Sequence, residues 1–165
     1  MLEAKKTVLW PARSKVKSPG TQRDVDLELD CPLSGMKGRL VLYVRVNTLL
    51  SDLFSMGLRL EMPRAAPSLL VRLNGGHGPH RNPDGSMIEM GQPHLHVPTA
   101  AEMAADYTSK VKLAQADKVG CAQPTEAWPW FEAWANIAHD ARMTGLVAAM
   151  SDAASQMEFE EALYG

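Results

Sequence analysis

Between Asp24 and Asn74 apolar side chains recur at every second position, and this period of two constrains the fold more than any other feature of the chain. Val25, Leu27 and Leu29 alternate with Asp24, Asp26, Glu28 and Asp30, while Leu40, Leu42, Val44 and Val46 alternate with Arg39, Val41, Tyr43 and Arg45. Successive side chains of a strand point to opposite faces, so each segment reads as a strand with one face against a core. The pattern repeats over Phe54 to Met62, with Phe54, Met56, Leu58, Leu60 and Met62 inward, and over Ser68 to Asn74, with Leu69, Val71 and Leu73 inward. The Gly-, Pro- and Asn-rich stretch from Gly75 to Pro93 predicts a loop holding a short hairpin around Asn82 to Ile88. A brief strand, His94 to Val97, closes it.

After Pro98 the residues become helix formers. Thr99 and Glu102 have the spacing of a capping box, which predicts a first helix running to about Gly120. A second opens near Thr125 or at Pro129 and stacks Phe131, Trp134 and Ile137 or Ala138 on one stripe, so Trp134 belongs to the core and not to a stacking surface. A third uses Met143, Leu146, Val147 and Met150. Strands followed by helices are the order of an α+β domain: an antiparallel sheet of four or five strands, with two or three helices packed on one face. Residues 24–157 are expected to form this domain. Residues 1–23 carry Lys5, Lys6, Arg13, Lys15, Lys17 and Arg23 against Glu3 alone and are broken by Pro11 and Pro19, which predicts a flexible basic arm. Residues 158–165 read as an acidic tail.

A chain of 165 residues with 45% hydrophobic and 22% charged residues can bury a core without disulfide staples. Cys31 and Cys121 have no neighbouring thiol, no apolar run is long enough to span a membrane, and the first residues lack the unbroken apolar stretch of a signal peptide; a cytoplasmic setting is expected. The formal charge of -2 conceals two opposed halves. Up to His80 the chain has twelve basic and seven acidic residues, and from Arg81 onward it has five and twelve. A polyanion partner is therefore compatible with the strand-forming half.

Four of the five histidines, His77, His80, His94 and His96, fall within twenty residues, and packing does not account for them. In an extended His94 to Val97, Leu95 and Val97 face the core and both histidines face the other way, with Cα atoms roughly 7 Å apart. The same parity sends Arg39, Tyr43, Arg45, Arg59, Arg72 and Asn74 to the outer face. The pattern suits metal-independent RNA cleavage: one imidazole takes the proton of a ribose 2′-hydroxyl, another protonates the leaving oxygen, and arginine stabilises the phosphorus centre. His94, His96 and Arg72 are the catalytic candidates, and Asn74, Arg81, Arg45 and Arg59 the substrate-binding ones, with no cofactor. Two alternatives stay open. One is a non-catalytic module that holds nucleic acid or protein on its basic arm and face. The other is a metal centre, with His77, His80, His94 and His96 as ligands of zinc or another divalent ion.

The succession RVNTLLSDLFSMGLRL, LLVRLNG, GHGPHRNPDG, PHLHV and EAWPWFEAWANI, spread over residues 40–138, resembles an uncharacterised bacterial family of small single-domain proteins with a His-rich loop and a closing H-x-H strand. The resemblance implies a single-domain unit in which the histidine segment matters, and it supplies no reaction. At the level of fold the chain also looks like the compact RNase toxins of bacterial conflict systems. That likeness implies RNA as substrate and a neutralising protein as a second partner, with no membrane involved.

Overall fold

In the computed structural model the described residues are 2–17, 21–32, 38–99, 102, 115–152 and 156–164. Nine strands are seen among them: β1 (Thr7–Lys17), β2 (Gln22–Asp30), β3 (Arg39–Asn47), β4 (Phe54–Glu61), β5 (Ser68–Asn74), β6 (His80–Arg81), β7 (Met87–Ile88), β8 (His94–His96) and β9 (Asp117–Lys118). Three helices follow, α1 (Pro124–Trp134), α2 (Ala141–Ser151) and α3 (Gln156–Tyr164). The protein is α+β. Its main sheet has seven antiparallel strands in the order β1-β2-β3-β4-β5-β8-β9, larger than the expected four or five, and β6 and β7 form a separate hairpin.

The register turns the sequence alternation into continuous apolar rows. Leu27 stands opposite Leu42, Leu42 opposite Leu58 and Leu58 opposite Val71, while Val25, Val44, Met56, Leu73 and Leu95 line up in the same way. Cross-strand pairs on one face are the unit of sheet stability. The helices cover this face with Trp128, Phe131, Met143, Leu146, Val147, Met150, Phe159 and Leu163, all buried in the same core.

Two expectations at the chain ends are corrected. Thr7–Lys17 is an edge strand and not a flexible arm. In the register Arg13 stands opposite Asp26 on β2, so its charge is complementary to that of its neighbour. Before it, Lys6 is completely buried and donates to the carbonyls of Leu2, Ala4 and Ala135, the last at the C-terminus of α1, where a cation is favoured by the helix dipole. Trp10 Nε1 donates to Asp140 at 2.9 Å, and the Arg142 guanidinium lies 3.9 Å from the centre of its ring. At the other end the acidic stretch forms α3, because Phe159 and Leu163, one turn apart, bury a stripe that outweighs the charge on the exposed side. Arg142 caps it by donating to the carbonyls of Ala162 and Leu163, both at 3.0 Å.

The capping box between Thr99 and Glu102 forms, but most of the helix expected after it, residues 103–114, lies outside the described residues. Any helix there ends before β9 and does not reach Gly120. Helix α1 opens at Pro124, one turn earlier than Pro129, with Glu126 accepting from the backbone of Ala122. Trp128 takes the core position expected of Trp134, and Trp130 and Trp134 stack on each other at 6.2 Å, each 37% exposed. Among the described residues no helix is long and apolar enough to cross a membrane.

Candidate functional site

The face of the sheet turned away from the helices carries two different polar assemblies. On β2 to β4 the arginines are taken up by carboxylates. Arg59 makes a two-pronged contact with Asp26 at 3.1 and 2.8 Å and donates from Nε to Glu61 at 2.9 Å, while Arg39 donates to Glu61 at 2.6 Å. Burial alone would raise the Glu61 carboxyl, but the hydrogen bonds from Arg59 and Arg39 hold it below the usual range. Arg45 lies 3.8 Å from Asp24 and covers the ring of buried Tyr43. The expected basic face is therefore charge-paired here, and Arg45 and Arg59 are engaged within the sheet. The carboxylates alternate on β2 with the same parity as the arginines on their strands, so register brings the two signs together.

Toward β5 and β8 the composition changes. Gly57 stands opposite both Tyr43 and Arg72, Ser55 opposite Asn74, Arg72 opposite His96, and Asn74 opposite His94. Arg72 Nε donates to Asn74 at 2.6 Å and to Ser55 at 3.3 Å. Its two terminal nitrogens have no hydrogen-bond or ion-pair partner among the described residues. Arg72, Asn74, His94 and His96 do come together, as expected.

The loop after β5 supplies the other two histidines. Gly75 passes so close to the β3–β4 turn that a Cβ would lie 2.2 Å from the Asp52 carbonyl and 2.3 Å from the Phe54 ring, which explains its glycine. Hydrogen bonds from Gly75 to Phe54 and from Gly76 to Asp52 fold the loop back over the outer face. The turn through Asn82 to Gly85 then closes the β6–β7 hairpin. Buried Asn82 ties it to the segment before β9, giving Nδ2 to the Ala116 carbonyl at 2.9 Å and accepting the Ala116 N–H at 2.8 Å. Ile88 is buried beneath the hairpin, and Arg81 points from it into solvent.

All four imidazoles meet. Ring centres are 4.6 Å apart for His77 and His94, 4.9 Å for His94 and His96, 4.9 Å for His80 and His96, and 5.8 Å for His80 and His94. Leu95 points to the core, so the histidines do lie on the opposite side, but they are not on an open surface. His94 is 1% exposed and His96 5%, whereas His80 is half-buried and His77 exposed. Val97, expected inward, is exposed, because the strand ends at His96.

Backbone carbonyls set the tautomers. Nδ1 of His77 donates to Gly78, that of His94 to Gln92 and that of His96 to Gln115, each at 3.0 Å. A carbonyl only accepts, so in these rings Nδ1 carries the proton and Nε2 is the basic nitrogen. Burial first, with the neighbouring imidazoles and Arg72 adding to it, lowers all three pKa values, that of His96 to about 4. The rings are therefore neutral at pH 7. Nε2 of His94 is buried without a hydrogen-bond partner among the described residues.

The rings pack edge-to-face and stacked. Among the described residues no group of three or more His, Cys, Asp or Glu side chains is arranged to hold a metal ion. Ser55 and Asn82 were not among the candidate residues. The N-P-D-G turn is the signal that could have singled out Asn82, whereas nothing local distinguishes Ser55. No protein-family model, curated protein or solved structure matches the chain.

Proposed function

We propose that this protein binds RNA through a phosphate held by Arg72 and the imidazole cluster. The observation that carries the reading is the Arg72 guanidinium, fixed at Nε and without partners among the described residues at both terminal nitrogens, beside three neutral imidazoles whose protons point away to backbone carbonyls. Two parallel terminal N–H groups suit two oxygens of a phosphate. The imidazole Nε2 atoms are acceptors, so the matching ligand carries a hydroxyl donor near its anionic oxygen. In RNA the ribose 2′-hydroxyl lies next to the 3′-phosphate, and DNA has no such donor.

Metal-independent cleavage is the second reading, favoured by the same neutral nitrogens. An Nε2 lone pair can accept the 2′-hydroxyl proton as that oxygen attacks phosphorus, and the imidazolium so formed returns the proton to the 5′-oxygen as its bond to phosphorus breaks, leaving a 2′,3′-cyclic phosphate and a 5′-hydroxyl, while Arg72 stabilises the charge that develops. The half-buried and exposed rings, His80 and His77, are the ones a substrate can reach. His94 and His96, the catalytic candidates read from the sequence, lie buried behind them.

Both readings are tested with a structured RNA in the presence of a chelator. Binding that Arg72→Gln weakens about tenfold while Arg45→Gln leaves it unchanged is the expected result; equal affinity for RNA and DNA of one sequence, or no effect of Arg72→Gln, refutes it. Products ending in a cyclic phosphate, absent with His77→Ala, are expected if the bound strand is cut. Intact RNA removes the cleavage reading and leaves the binding one.

A further inference from the structure

The deepest ring of the cluster specifies the ligand more narrowly. His94 touches the other three imidazoles, is 1% exposed, and has its Nδ1 committed to the Gln92 carbonyl while its buried Nε2 has no hydrogen-bond partner among the described residues. A neutral Nε2 offers a lone pair and nothing else, so an oxyanion that reaches it must bring a proton or take one up on binding. The charged and titratable neighbours are Arg72 on β5, His77 and His80 on the loop and β6, His96 on β8, and Lys118, which faces His94 across the β8–β9 register. All are basic; the carboxylate of Asp52, in the β3–β4 turn, lies beside Gly76.

From this arrangement we infer that the site takes a phosphomonoester, the terminal phosphate of an RNA chain, in preference to an internal phosphodiester. The inference rests on the reading of Arg72 and the imidazoles as an RNA phosphate site. An internal linkage carries one negative charge and no proton, which Arg72 alone balances. A phosphomonoester carries up to two charges, and its second pKa of about 6 lets it arrive with a proton or share one with an imidazole. One oxygen edge then pairs with Arg72, and the protonated contact satisfies an Nε2. The exposure of the rings is graded in the same direction, with His77 exposed, His80 half-buried and His94 and His96 buried behind them.

One proton is bound with each phosphate, so binding weakens about tenfold for each pH unit above 7, where ligand and imidazoles are both deprotonated when apart. The test is fluorescence anisotropy with one internally labelled oligoribonucleotide carrying hydroxyl ends, a 5′-phosphate or a 3′-phosphate. One phosphorylated form should bind at least about tenfold tighter at pH 6.5, lose that advantage by pH 8, and be displaced by inorganic phosphate but not by dimethyl phosphate. Arg72→Gln and His94→Gln should abolish the advantage. His77→Gln, at the exposed ring, should reduce it if the His94 variant does not fold. Equal affinity for all three ends overturns the inference, while the RNA reading survives if Arg72→Gln weakens all three alike. Inorganic phosphate bound with proton uptake, seen by calorimetry in two buffers, with no oligonucleotide bound, supports the phosphomonoester and overturns RNA as its carrier. Binding of neither overturns both.

Discussion

The outer face of the sheet holds two arginine-rich regions that share a parity and differ in what surrounds them. On β2 to β4, Arg39 and Arg59 meet Asp26 and Glu61, and the charges cancel inside the sheet. On β5 and β8, Arg72 meets Asn74, Ser55 and a group of neutral imidazoles, none of which cancels its charge. Orienting an arginine through a neutral acceptor leaves its terminal donors available for a ligand, whereas orienting it through carboxylates uses them up. The comparison separates a part of the sheet whose charges are paired from a part whose guanidinium keeps its terminal donors unpaired among the described residues.

The largest effect expected from breaking this contrast is at its boundary. Gly57 lies between Tyr43 and Arg72, and a Cβ there would fall 2.2 Å from the Val71 carbonyl and 2.6 Å from the Tyr43 hydroxyl. Gly57→Ala should cost at least about 3 kcal/mol in denaturant melts. A variant as stable as the parent would mean that the Tyr43 ring does not seal the boundary.

Acid should act next, and on the imidazole side. His96 has a pKa of about 4 in the fold against an ordinary value near 6.5 when unfolded. Between these values the unfolded chain binds the extra proton, so stability is full above pH 6.5 and falls as pH drops toward 4, by up to about 3 kcal/mol for this group. His94 and His77 shift in the same direction. The carboxylate side loses stability lower, as Glu61 is protonated below the usual carboxylate range. Melts at pH 7, 5.5 and 4.5 that show no decline before pH 4.5 would contradict the neutral cluster.

Smaller changes sharpen the contrast. Arg59→Gln leaves Asp26 and Glu61 without their shared partner and should remove about 2 kcal/mol of stability with RNA affinity unchanged. Arg72→Gln should do the reverse, shifting stability by no more than about 0.5 kcal/mol while weakening RNA binding by about 1.4 kcal/mol. The same pattern of losses in both variants would erase the distinction between the regions. Smallest of all is Arg45→Gln: its long, 3.8 Å pair with Asp24, in which the guanidinium is half-exposed, should contribute no more than about 0.5 kcal/mol to stability and nothing to binding.

Much of this layout was legible in the chain. Strict alternation located β2 to β5 and β8 and assigned Arg39, Tyr43, Arg45, Arg59, Arg72, Asn74, His94 and His96 to one face. The neutralising carboxylates were legible too, since Asp24, Asp26 and Glu28 share that parity. Edge strand β1 was hidden because Pro11 and a register shift between Leu9 and Arg13 interrupt its period. The burial of His94 and His96 was not legible, because the hairpin that covers them is anchored by hydrogen bonds from Asn82 to Ala116, thirty-four residues away.

The amino-acid sequence by itself determined the period, the face on which each polar side chain stands, and the gathering of four histidines into one segment, because these follow from local backbone geometry. Only the tertiary structure decided which arginine keeps its terminal donors and which imidazole nitrogens keep their lone pairs. Those outcomes depend on register and loop closure: cross-strand pairing brings carboxylates to Arg59 but an amide and imidazoles to Arg72, and backbone carbonyls from separate segments fix the histidine tautomers.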